Sequence, residues 1–166
     1  MSIHGEHPFR SADSDEVRRL RARVGATVSL WTAGSGADAA GLTVSSYLVV
    51  NGEPGRLVAA LDPDADLTDR VRTTERVVVQ LLTWSDRALA EMFGGTMPAP
   101  GGAFRQAEFL ATPYGPRLAH AVTWAHCSLE SQVAAGWSEL VTMRVDALAV
   151  DDAEWLVHEN GRFRHR

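Results

Sequence analysis

The stretch from Gly41 to Asn51 constrains this chain most. Small and hydroxyl residues, Gly41-Leu42-Thr43-Val44-Ser45-Ser46, run directly into Tyr47-Leu48-Val49-Val50. In an extended backbone Thr43, Ser45 and Tyr47 share one side, and Leu42, Val44, Ser46 and Leu48 the other. The β-branched and aromatic residues anchor such a strand in a sheet. The hydroxyls and backbone N–H groups at its start can hydrogen-bond a ligand. The expectation is a strand whose first half belongs to a site and whose second half belongs to a sheet.

The flanking sequence repeats short strand signals between turns. Thr27–Thr32 reads as a strand, and Ala33–Asp38 as a glycine-rich turn. Within it, Gly34-Ser-Gly36-Ala-Asp-Ala39 has the spacing of a dinucleotide fingerprint. That motif must open a helix, whereas strand-like sequence follows here, so a hairpin is the better reading. Asn51-Gly52 and Pro54-Gly55 mark a turn, followed by a strand over Arg56–Leu61. Asp64 or Asp66 can cap a short helix over Leu67–Thr74. Arg76–Trp84 is a continuous apolar run and reads as a buried strand. Ser85 can cap a helix that ends at Gly94-Gly95. Two long β-rich stretches, Arg117–Val133 and Glu139–Val150, precede a terminal hairpin around Asn160-Gly161. Near the start, Met1–Ala12 reads as a loose arm. Ser11 or Asp13 can cap a helix over Ser14–Arg23, with Val17, Leu20 and Val24 as its apolar stripe. Residues 13–166 then form one domain, mainly β: an antiparallel, Greek-key type barrel with a few short helices.

Composition removes several function classes. The net charge is −5, which argues against nucleic acid and anionic lipid as partners. All 16 basic residues are arginine, which excludes a Schiff-base lysine and the P-loop lysine. The single cysteine, Cys127, excludes an intrachain disulfide and a multi-cysteine metal site, and suits a reducing cytoplasm. No apolar run approaches membrane-spanning length, and the first residues lack the apolar core of a signal peptide.

Gly41-Leu-Thr-Val-Ser-Ser46 resembles the G-x-T-x-S-S signature of the flavin reductase-like family, the FMN-binding split barrels. The order around it is similar too. Gly25–Thr32 precedes it. Leu61-Asp62-Pro63, Val77–Leu82, Met92-Phe93-Gly94-Gly95 and Tyr114-Gly115-Pro116 follow, so the resemblance covers roughly residues 20 to 150. It implies a split β-barrel and usually a homodimer, with flavin in the groove between subunits. It also implies hydride transfer from NAD(P)H to FMN, with FAD or a deazaflavin as related cofactors. A non-catalytic barrel serving ligand binding or dimerisation is the alternative.

The candidate residues carry two readings each. Thr43, Val44, Ser45 and Ser46 form an edge strand with solvated hydroxyls, or they hold the ring and ribityl chain. The resemblance places the FMN phosphate beside the Asp62–Thr68 turn. Thr68 suits that role, while Asp62, Asp64 and Asp66 repel a dianion and read equally as helix-capping residues; Arg70 or Arg72 would offset them. Gln80 stands where relatives often carry Asn, and a buried Gln needs a partner, either a ligand or the neighbouring backbone. Gly136-Trp137-Ser138 replaces a Gly-Asp-His of many relatives, so no catalytic residue is assigned. His126 and Cys127 face opposite ways on a strand and form no metal pair; no metal ligands are expected.

Overall fold

A computed structural model describes residues 12–166. Residues 1–11, and with them the expected arm up to Ser11, lie outside the described residues, as does the Asp13 side chain; Ala12, read as the end of the arm, is helical. Helix α1 spans Ala12–Arg23. Its expected stripe is not buried: Val17, Leu20 and Val24 are all exposed.

The strands are β1 (Ala26–Thr27), β2 (Ser29–Ala33), β3 (Ala40–Val44), β4 (Tyr47–Val50) and β5 (Arg56–Leu61). Helix α2 (Asp66–Thr74) leads into β6 (Arg76–Leu81), and α3 covers Arg87–Phe93. Then come β7 (Phe109–Leu110), β8 (Arg117–Leu118), β9 (Trp124–Ala135), β10 (Ser138–Ala149), β11 (Leu156–Glu159) and β12 (Arg162–His165). The glycine-rich segment after β2 is indeed a hairpin turn, with a 3-10 turn at Gly36–Asp38. The second long β-rich stretch and the terminal hairpin form as expected. The first divides into β8 and β9.

Seven strands form one antiparallel sheet in the order β3-β2-β6-β9-β10-β5-β4. The two edge strands, β3 and β4, are consecutive in sequence and separated only by Ser45 and Ser46. Two residues span at most about 7 Å, so the sheet must curl until its edges nearly meet. The expected single strand from Gly41 to Asn51 is therefore two strands on opposite edges. The alternation assumed across it breaks at the Ser45–Ser46 corner. The result is a mainly β, curled antiparallel half-barrel with few helices.

Burial on both faces explains the long apolar runs. Trp31 and Ala33 of β2, with Val77 and Val79 of β6, enter the core inside the curl. Leu30 enters a second cluster on the outer face, with Val28, Leu82, Phe93 and Leu118. Leu67 and Val71 of α2 plug the inner core. Each large side chain removed from water in this way contributes about 1.5–3 kcal/mol. α3 and the 103–121 segment seal the outer cluster, where Phe104 lies edge-on 5.0 Å from Phe93 and 5.0 Å from Phe109.

Two expected caps are replaced. Asp64 and Asp66 do not cap α2: its N-cap is Ala65, without a side-chain bond. The Asp62 carboxylate instead accepts the Asp64 N–H at 2.9 Å. Ser85 does not cap the turn before α3. Thr83 and Asp86 form a reciprocal capping box there, whose spacing is a legible helix-start signal.

Candidate functional site

The Ser45–Ser46 corner closes the barrel seam. Ser46 donates its hydroxyl to the Ala60 carbonyl at 2.7 Å, and Ala60 N–H donates to the Ser46 carbonyl at 2.9 Å. This double tie fixes the corner to the end of β5. The hydroxyl proton of Ser46 is thereby spent, so towards a ligand it can only accept. Thr43 is in the same position, donating to the Ala90 carbonyl of α3 at 2.7 Å. Ser45 is half-buried, and its hydroxyl has no partner among the described residues. It is the one side chain of the three able to donate to a ligand. Val44 is buried in the inner core, and its carbonyl accepts the Ser29 hydroxyl at 2.7 Å.

From the corner the surface continues past Ala60 to the Asp62 turn. The Thr68 hydroxyl is fully buried and donates to the Asp62 carbonyl at 2.6 Å. Arg70, half-buried on α2, reaches Asp38 at 3.8 Å. Beyond Asp38 lies a recess of about 220 Å³ between the β2–β3 hairpin and the 104–116 segment, walled by Phe104, Phe109 and Pro116. The structure thus places Ser45, Ser46, Asp62 and Arg70 at least partly exposed along the segment that runs from the corner to α2, with Thr68 buried beneath the turn.

Gln80 is not on it. Its side chain is fully buried, with Nε2 donating to Thr32 Oγ1 at 3.2 Å and Oε1 accepting the Leu118 N–H at 2.7 Å. Thr32 in turn donates to the Pro116 carbonyl. The partner that a buried Gln demands is the chain itself, so Gln80 fastens the 116–118 segment to the outer face of the sheet.

The titratable side chains offer little acid–base chemistry. Burial pushes the Cys127 thiol up to about 12, so it is no thiolate near neutral pH. His126 lies stacked 4.7 Å from Tyr114 and tilted against Trp124 at 4.6 Å, with its Nε2 buried and unpartnered among the described residues. Burial, then the Arg117 charge, lowers its pKa. His120 was not singled out by the sequence. Its Nε2 meets the buried Asp86 carboxylate at 2.7 Å, a contact across 34 residues that no local pattern reveals. Among the described residues no cluster of three or more His, Cys, Asp or Glu could hold a metal, and no helix is long and apolar enough to cross a membrane.

One exposed face also escaped the sequence reading. On β5, Leu57, Ala59 and Leu61 point into the core, so Val58 and Ala60 point outward. Leu48 pairs with Val58, and Leu140 pairs with both Ala60 and Val133. Leu48 and Val133 are each 55% exposed. An apolar outer strip therefore crosses four strands and ends at the Ser46 corner.

Known proteins resemble this chain in sequence and in fold. FMN reductase (NADH) RutF of Ancylobacter novellus is 28% identical over 136 residues, covering 81% of this chain and 75% of that protein. RutF of Klebsiella pneumoniae strain 342 is 28% identical over 138 residues, covering 82% and 84%. The Streptomyces globisporus NADH:FAD oxidoreductase SgcE6, solved with NAD and FAD fragments, superposes with a TM-score of 0.81 at 21% identity, covering 92% of each chain. The styrene monooxygenase flavin reductase of Pseudomonas putida gives 0.79 at 21% identity, covering 91% of this chain and 97% of that one. The profile of the flavin reductase like domain matches residues 21–165. A match of that extent, on a half-barrel closed at its G-x-T-x-S-S corner, makes this chain a member of the flavin reductase like domain family.

Proposed function

We propose that this chain is an oxidoreductase that passes hydride from NADH to a flavin such as FMN. The observation that carries the reading is the barrel corner, where the partnerless Ser45 hydroxyl stands on an open surface within the family's signature. Relatives named as NADH-dependent FMN reductases support it.

The ring and ribityl end of a flavin fits what the chain offers. Ser45 supplies a donor, Ser46 and Thr43 supply acceptor lone pairs, and the corner backbone is held rigid by its bonds to Ala60 and Ala90. The phosphate end fits poorly, because aspartates surround it. A bound flavin would supply the hydride acceptor, taking one hydride, and with it both electrons, from the nicotinamide and a proton from water. The protein's part is to hold the ring edge, fix its orientation and exclude water. Removing the Ser45 donor by Ser45→Ala is expected to weaken flavin binding about five- to tenfold, the worth of one hydrogen bond. Purified protein that fails to oxidise NADH with added FMN, FAD or riboflavin, and that binds none of them, would overturn the reading in favour of a non-catalytic barrel. The exposed Trp137 at the β9–β10 turn, in the segment where the resemblance implies Gly-Asp-His, is what favours that second reading.

The apolar outer strip on β4, β5, β10 and β9 fits a second copy of this chain, which would bring another surface against the corner. The double variant Leu48→Asp, Val133→Asp is expected to convert a dimer into a monomer by light scattering and to lower flavin affinity with it. A wild-type protein that is monomeric at micromolar concentration would remove the homodimer from the proposal.

A further inference from the structure

We infer, resting on the reductase reading, that this chain recognises its flavin by the ring and ribityl chain and gains little from a terminal phosphate, so that riboflavin serves it about as well as FMN. The turn where the resemblance places the phosphate carries Asp62, Asp64, Asp66 and Asp69 within eight residues. Asp66 and Asp69 occupy the first turn of α2, so the positive end of that helix is already answered by carboxylates. The hydroxyl that would donate to a phosphate, Thr68, is fully buried and given to Asp62.

The nearby cations are equally committed. Arg70 lies 3.8 Å from Asp38. Arg72 lies 2.6 Å from Asp69 and 3.6 Å from Glu139. A phosphate monoester brings a charge of about −1.5 to −2 near neutral pH. It would meet four carboxylates and no uncommitted arginine among the described residues of α2. Its attraction to Arg70 must compete with the ion pair that Arg70 already makes with Asp38. The uncharged ribityl terminus of riboflavin meets no such opposition.

The test is a paired fluorescence titration of the full chain with riboflavin and with FMN, at neutral pH and low ionic strength, where surface charge is least screened. Dissociation constants within about tenfold of one another, one step of binding free energy, support the inference. FMN tighter by more than that overturns it. The double variant Asp38→Asn, Asp64→Asn frees Arg70 and removes one opposing charge. It is expected to tighten FMN several-fold while leaving riboflavin unchanged; an equal shift of both flavins counts against the inference. Binding of neither flavin overturns the reductase reading and this inference with it, and the pairing separates that result from a phosphate preference.

Discussion

Gly115→Ala is expected to destabilise the protein by about 3 kcal/mol. Gly115 adopts φ +135, and a Cβ there would sit 2.6 Å from the Thr32 carbonyl oxygen and 2.9 Å from the Ala33 Cα. Both obstacles are backbone of β2, which is buried throughout, so neither can step aside. The only relief is for the 112–118 segment to lift off the sheet. Lifting it breaks the bond from Thr32 to the Pro116 carbonyl and then the one from Leu118 to Gln80. Gly136→Ala is the matching control. It has φ +57 with nothing within 4 Å of the added Cβ, so only backbone strain of about 1 kcal/mol applies. Urea unfolding would show a much lower midpoint for the first variant and a small shift for the second, with similar slopes. Equal losses would mean that the close approach to Thr32 contributes nothing.

Much of the architecture was legible because it rests on local signals. Asn160-Gly161, the Gly34–Gly36 turn and the apolar run at Val77–Leu82 each specify their element through turn chemistry or period. Sheet order was not legible. Nothing local in Ser45-Ser46 says that the strands on either side belong to opposite edges, since that depends on β5 and β2 being far apart in the sheet. The same topology undid the site prediction in part. Ser45 keeps a free hydroxyl, but those of Thr43 and Ser46 reach carbonyls 47 and 14 residues away. Polar residue type shows that a partner is needed, and only the fold shows which. The caps failed for a related reason. Asp64 and Asp66 have the right chemistry for the start of α2, yet Thr68 already ties that turn to the Asp62 carbonyl.

Gln80 sharpens this distinction into an experiment. Were it a flavin contact, Gln80→Leu would weaken flavin binding and leave the fold intact. The structure predicts the reverse order of effects. Leucine fills a similar volume but offers no acceptor, so the Leu118 N–H is left buried without a partner, and the Thr32 hydroxyl loses its incoming donor. An unsatisfied buried donor costs about 1–3 kcal/mol, and the loss of the coupled bond adds to it. A total near 3 kcal/mol is expected, read as a lower thermal midpoint in protein free of flavin. Gln80→Glu separates the two parts of that loss. Ionised, it retains an oxygen for Leu118 but has no donor for Thr32, whereas protonated it can supply both; its position is fully buried, where burial favours the protonated form. Its stability should therefore recover as pH falls: the folded carboxyl holds its proton at a pH where the unfolded one has released it. A Gln80→Leu protein with unchanged melting and lost flavin affinity would move Gln80 back into the binding site and undo the assignment of its amide to the 116–118 segment.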